Sequence, residues 1–194
     1  MFSKCGDGLN GAWKVLFAIV IASVVLTGCV SRDPRLLDAL KGVRVTEVQV
    51  EATPDVGTGW PMMNGVTPQQ QVAMIVQAVQ RVASRDLKGY PGGPNPARLV
   101  ITLQQADLAS MPGRIIAGND SWIVGTVRLE DARTGRLIAQ NPRIQGSDKG
   151  IHGDGLGVIV AVAINAAISK SQEALVEKLA ISFTRNVKTW LTPK

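Results

Sequence analysis

The segment at 121–140, "SWIVGTVRLEDARTGRLIAQ", constrains the fold more than any other. Ile123, Gly125, Val127 and Leu129 fall at every second position, so they share one face of a strand. "DARTG" at 131–135 carries turn chemistry, and Leu137 and Ala139 resume the alternation beyond it. Two alternating runs about such a turn predict a hairpin. Leu137 and Ala139 are expected to continue its buried face. A sheet with one apolar face needs a second layer to cover it.

The rest of the chain supplies that layer. "VRVTEVQVEA" at 43–52 reads as a strand rich in β-branched residues. Its phase changes near Thr46, and a bulge there would align Val43 and Val45 with Val48 and Val50. Residues 53–65 read as a loop. "TPQQ" then opens a helix, with Thr67 as N-cap, Pro68 at N1 and Gln70 closing a capping box. Val72, Ile75, Val76, Val79, Val82 and Ala83 form its apolar face. Gln71, Gln77, Gln80, Arg81 and Arg85 are expected on the wet side. The helix should end before Gly89, where "GYPGGPNP" breaks the chain. "ARLVITLQQAD" at 97–107 predicts a strand with Leu99, Ile101 and Leu103 inward. A glycine-rich loop is expected at 146–155. Residues 156–168 are apolar nearly all round, too few to span a bilayer but suited to a buried helix. Ser169 with Gln172 is expected to recap the chain. A last helix to about Leu191 carries Leu175, Leu179, Phe183, Val187 and Trp190 on one stripe. The order is β-α-β-β-β-α(α). It predicts an α+β fold, a mostly antiparallel sheet of about four strands with helices packed on one face.

At the amino terminus, Lys4 and Lys14 precede or flank an apolar run at 13–25. That run is shorter than the ~20 residues a spanning helix needs, and it has the make-up of a secretory signal. It ends in Leu26, Thr27, Gly28 and Cys29, "LTGC", which resembles a bacterial lipobox. The resemblance implies that the Cys29 thiol receives a diacylglycerol, that the chain is cut before Cys29, and that the new amino group is acylated. Residues 1–28 would be the cleaved signal peptide, 29–41 a tether, and 42–194 a single domain. Cys5 would leave with the signal and Cys29 would carry lipid, so the mature domain would hold neither thiol nor disulfide. Beyond that covalent lipid no cofactor is expected. Val30 follows the cysteine. In the enterobacterial sorting pattern an Asp there favours the inner membrane, so the resemblance implies the outer membrane, facing the periplasm.

Cleavage would remove Lys4, Lys14 and Asp7, leaving 166 residues with 19 basic and 14 acidic side chains, a net of +5. The basic residues are scattered, and no nucleic-acid partner is expected. Outside the cytoplasm the natural acidic partners are lipid head groups or cell-wall polymers, but charge so scattered reads first as solvated surface with no ligand.

Candidate chemistry is sparse. Asp148, the single histidine His152, and Asp154 lie close together in sequence, and two carboxylates with an imidazole suit a divalent cation. Three ligands on one flexible loop make a poor site without further support, and Asp154 is placed to cap a helix, so no metal site is expected. "GDGLG" lacks the Lys-Ser/Thr of a nucleotide loop, and there is no "GxSxG". No enzymatic activity is expected. Trp60, Met62 and Met63 in "GWPMM" are candidates for partner binding, because aromatic and methionine side chains are enriched at interfaces.

The "VRLEDARTGRLI" hairpin after the "LVITL" strand, together with the lipobox, resembles the amino-terminal domain of the TolB protein. It is similar also to small outer-membrane lipoproteins, including the curli-secretion lipoprotein and activators of penicillin-binding proteins. The resemblance implies a subunit of an envelope complex. The expected function is a lipid-anchored, non-catalytic accessory or assembly subunit that binds another envelope protein, with self-association as a further option. A small-ligand or lipid-binding module is the alternative, and a metal-assisted enzyme the weaker one.

Overall fold

The computed structural model describes residues 34–58, 67–109, 113, 116, 118–150, 161 and 171–192. The chain divides into two units, Met1–Pro34 and Arg35–Lys194. The described elements are α1 (Pro34–Lys41), β1 (Val43–Thr58), α2 (Pro68–Leu87), β2 (Asn95–Asp107), β3 (Ser121–Asp131), β4 (Leu137–Asp148) and α3 (Gln172–Leu191). Of the apolar run at 156–168 only Ala161 is described, and it is helical and buried.

The sheet order is β1-β2-β3-β4. β1 and β2 are parallel because α2 carries the chain back between them, as parallel pairing requires. The β2–β3 and β3–β4 pairs are antiparallel. The fold is therefore α+β, with one parallel pair in an otherwise antiparallel sheet. Leu99, Ile101 and Leu103 of β2 and Ile123, Val127 and Leu129 of β3 are fully buried on one face. Ile75, Val79 and Val82 of α2 and Leu179, Phe183 and Val187 of α3 belong to the same core. The opposite face carries Arg98, Thr102, Gln104 and Thr126 beside the buried Val100 and Val124.

Local chemistry sets the helix ends. Thr67 Oγ1 accepts from the Gln70 amide at 3.2 Å, and Gln70 Oε1 accepts from the Thr67 amide at 2.9 Å, which is the expected capping box. Ser171, rather than Ser169, caps α3, accepting from the Ala174 amide at 3.1 Å. All five residues of the expected α3 stripe are buried. Gln71, expected on the wet side, is buried. It shares a stripe with Ile75, Ala78 and Val82, and position on the helix outweighs its polarity.

Bulges explain where strands depart from simple alternation. Val45 pairs with Ala97 and Glu47 with Arg98, so Thr46 is the extra residue that re-phases β1, as expected. β1 then continues to Thr58 through a second irregularity at 53–56, which the sequence reads as loop. β4 likewise runs to Asp148 instead of stopping near Gln140. Leu129 pairs with Ala139 but Glu130 pairs with Leu137, which leaves Ile138 as an extra residue. That extra residue turns Leu137 to the outer face beside Glu130. Leu137 is 51% exposed, against the expectation that it would lie inward, while Ala139 is buried as expected.

Both sheet edges are covered in part by polar side chains. On β1, Gln80 of α2 donates to the Val48 carbonyl and accepts from the Val50 amide, each at 2.9 Å. The loop after α2 extends this cover, because Val45 bonds the Tyr90 carbonyl and the Gly89 amide. On β4, Asn186 of α3 donates to the Gln145 carbonyl at 2.7 Å and Ser182 accepts from the Ser147 amide at 3.2 Å. This approach needs Gly146. A Cβ there would lie 2.6 Å from the Phe183 nitrogen.

Candidate functional site

Of the residues singled out in the sequence, Leu26, Thr27, Gly28, Cys29, Trp60, Met62, Met63, His152 and Asp154 lie outside the described residues. Asp148 is described. It closes β4 opposite Ser121, inside the sheet register and not within a loop, because pairing to β3 draws Gly146 and Ser147 into the strand. Beside it, the buried Ser121 hydroxyl accepts from the Ala109 amide at 3.0 Å, and Asp120 accepts from the Gly150 amide at 2.9 Å. These bonds tie loop backbone to the end of the sheet. Among the described residues no group of three or more His, Cys, Asp or Glu side chains is arranged to hold a metal.

A cleft of about 250 Å³ opens where the irregular stretch of β1 meets the start of α2. Thr53, Pro54, Val56, Pro68, Gln69 and Val72 line it. These described residues are largely apolar and include no titratable group. The Gln70 amide of the adjoining helix start is already used by Thr67. Small-molecule sites usually begin at about 300 Å³ and converge several polar groups, and this cleft offers one hydroxyl and one amide side chain.

The sheet face opposite the core is laced by cross-strand bonds. Arg98 donates to Glu47 at 2.9 Å, Thr102 to Glu51 at 2.9 Å, and Gln104 to Thr126 at 3.0 Å. The bond and charge of Glu47 raise the Arg98 pKa above its ordinary value.

Charge is divided along the strand direction. β1 and β2 begin, the β3–β4 turn lies, and α2 ends at the same end at which α1 enters. Tyr90 bonds Thr192 at 2.7 Å, which brings the end of α3 there too. The carboxylates of this end are engaged. Asp38 meets Lys41, Glu47 meets Arg98, Asp86 meets Arg85 and Glu130 meets Arg128. Asp131 accepts from the amides of Thr134 and Arg133, each at 2.9 Å, and these bonds hold its pKa below the usual value. The Arg85 hydrogen bond does the same for Asp86. Arg44, Lys88, Arg133, Arg136 and Lys188 remain exposed there, with no salt bridge among the described residues. The opposite end carries Asp55, Asp107, Asp120, Asp148 and Glu173 against Lys149 and Lys178 among the described residues.

Neither a protein-family model nor a curated protein matches the chain. Solved structures do resemble it. A Caulobacter crescentus protein classed provisionally as a lipoprotein is 15% identical, over 82% of this chain and 97% of its own, with a TM-score of 0.32. A Xanthomonas campestris protein is 15% identical, over 77% and 84%, with a TM-score of 0.40. A Neisseria meningitidis lipoprotein is 16% identical, over 67% and 99%, with a TM-score of 0.25. No helix among the described residues is long and apolar enough to cross a membrane.

Proposed function

We infer that this chain is a lipid-anchored lipoprotein of the bacterial cell envelope whose folded unit is a non-catalytic accessory or assembly subunit. The observation that carries this reading is the spacing between motif and fold. "LTGC" ends at Cys29, and the folded unit begins at Arg35. Cleavage before Cys29 would leave lipid and fold joined by a few residues. Two or more acyl chains hold a protein firmly, at ~0.8 kcal/mol per buried CH₂. Val30 favours the outer membrane, and the periplasmic side is then the working compartment.

The non-catalytic reading is supported by what the described side chains do. Ser121 and Gln80 latch backbone, Asp38, Glu47, Asp86 and Glu130 pair with basic side chains, Asp131 holds a turn, and the described residues lining the cleft carry no ionisable group. A domain of this kind acts by binding. Trp60, Met62 and Met63 are the side chains we assign to contact with another envelope protein.

Two measurements test the proposal. Labelled palmitate should enter the wild-type protein and not Cys29→Ala, which should leave the membrane fraction. Cross-linking in intact cells, followed by mass spectrometry, should recover one envelope protein in stoichiometric amount. That capture should fall on Trp60→Ala or Met62→Ala. Palmitate uptake by Cys29→Ala would remove the anchor from the proposal, and recovery of the chain alone would remove the partner.

A further inference from the structure

The surplus cations and the exposed Leu137 occupy one end of the domain, and it is the end at which the chain enters. Arg133, Arg136 and Leu137 stand together at the tip of the β3–β4 hairpin. Arg44, Lys88 and Lys188 ring the same end. The local acids are already paired or capping, so the cations present a net positive surface. Leu137 is 51% exposed among these arginines, an arrangement that suits a surface that is polar, acidic and backed by hydrocarbon; the other exposed large apolar side chain among the described residues, Ile116, lies in the β2–β3 connection at the far end and has no such cluster of arginines described around it.

Tether length selects the occupant. Four residues separate Cys29 from Pro34. Fully extended they reach about 14 Å at 3.3–3.6 Å each. Four strands in a sheet span about 14 Å across at ~4.8 Å spacing, so the hairpin tip on β4 is no further to the side than the tether is long. β3 has eleven residues, which at ~3.3 Å each puts the acidic end about 36 Å away. The eight residues of α1 add about 12 Å at 1.5 Å per residue, so even a fully extended lead falls short of the far end, and an anchored domain meets the bilayer with its entry end nearer.

Resting on the lipid-anchor reading, we propose that the entry end docks on anionic phospholipid head groups of the membrane that holds Cys29. Arg133 and Arg136 supply charge, Leu137 enters the head-group layer, and the acidic end projects away to meet the partner. Each basic residue near an anionic surface is worth about a fivefold change in the docking equilibrium. The attraction is screened by salt, because the Debye length shrinks from ~10 Å at 0.1 M to ~3 Å at 1 M.

The test uses the lipidated full-length product in vesicles, since the mature chain offers no thiol but the acylated Cys29. A single cysteine is placed at the hairpin tip (Thr134→Cys) or at the far end (Lys149→Cys) and given an environment-sensitive fluorophore. A head-group quencher is included in vesicles of phosphatidylcholine alone or with phosphatidylglycerol. Quenching should be several-fold stronger at position 134 than at 149 in the anionic vesicles. High salt should reduce it, and Arg133→Glu with Arg136→Glu should reduce it further. Leu137→Ser should reduce it without changing its salt dependence. A protein shown by mass to be lipidated, yet quenched equally at both positions or unmoved by the two reversals, overturns the docking and leaves the anchor standing. A protein whose mass lacks the lipid, and which does not float with vesicles, overturns the anchor and the docking together.

Discussion

Gln80 is half-buried, and its one amide satisfies both a carbonyl and an amide on the edge of β1. Removing a partner from a buried backbone group costs about 1–3 kcal/mol. Gln80→Leu should therefore lower unfolding stability by about 1–2 kcal/mol, although leucine is the better apolar filler. Urea unfolding with an unchanged slope checks this, and an equally stable variant would show that the two bonds contribute nothing. Thr184 makes the converse case. It is buried, and its hydroxyl has no hydrogen-bond partner among the described residues. Valine has nearly the same shape without the polar atom, so Thr184→Val should raise stability by about 1 kcal/mol in the same assay. Neither role shows in the sequence. A glutamine or threonine on a helix reads as neutral until the groups facing it are known.

The helices and strands were largely legible because each carries its own signal. Thr67, Pro68 and Gln70 mark the start of α2, and the valines of β1 change phase across Thr46. The outward turn of Leu137 is not legible in the sequence, because Leu137, Ile138 and Ala139 are all apolar and no alternation survives to reveal the extra residue. The turn between β3 and β4 depends on Asp131, whose carboxylate is exposed and bonded to two amides. Its pKa is depressed in the folded state, so its contribution is present above the ordinary aspartate value of about 3.9. It is lost as pH falls through the lower folded value. Asp131→Asn keeps an acceptor oxygen but cannot titrate. The stability gap between wild type and Asp131→Asn should be widest near neutral pH and close in acid. A gap that persists below the folded value would mean that the charge is not what holds the turn. At the other helix start, Ser171→Ala should cost about 1 kcal/mol by the same unfolding measurement, through loss of the bond to the Ala174 amide.

For the molecule as a whole, legibility follows sequence distance. The lipobox is four adjacent residues and can be read directly. The basic entry end is assembled from Arg44, Lys88, Arg133, Arg136 and Lys188, which only the topology gathers, so the sequence shows scattered charge. The sheet edges are of the same kind. α2 covers part of β1 with Gln80, and α3 covers part of β4 with Ser182 and Asn186. Open edges are templates for pairing with another chain. The two edges lie on opposite sides of the sheet, so opening them has different consequences. A chain opened at β4 alone, by Ser182→Ala with Asn186→Ala, can pair its edge with the same edge of a second copy and stop there, because the closed pair has no free β4 edge left. A chain opened also at β1, by Gln80→Ala, retains an open edge after every addition and can grow without closing. Sedimentation velocity should therefore show the two-substitution variant saturating at twice the mass of the wild-type species. The three-substitution variant should grow with concentration. If both keep the wild-type sedimentation coefficient while circular dichroism reports an intact fold, these three side chains are not what keeps the sheet from its neighbours.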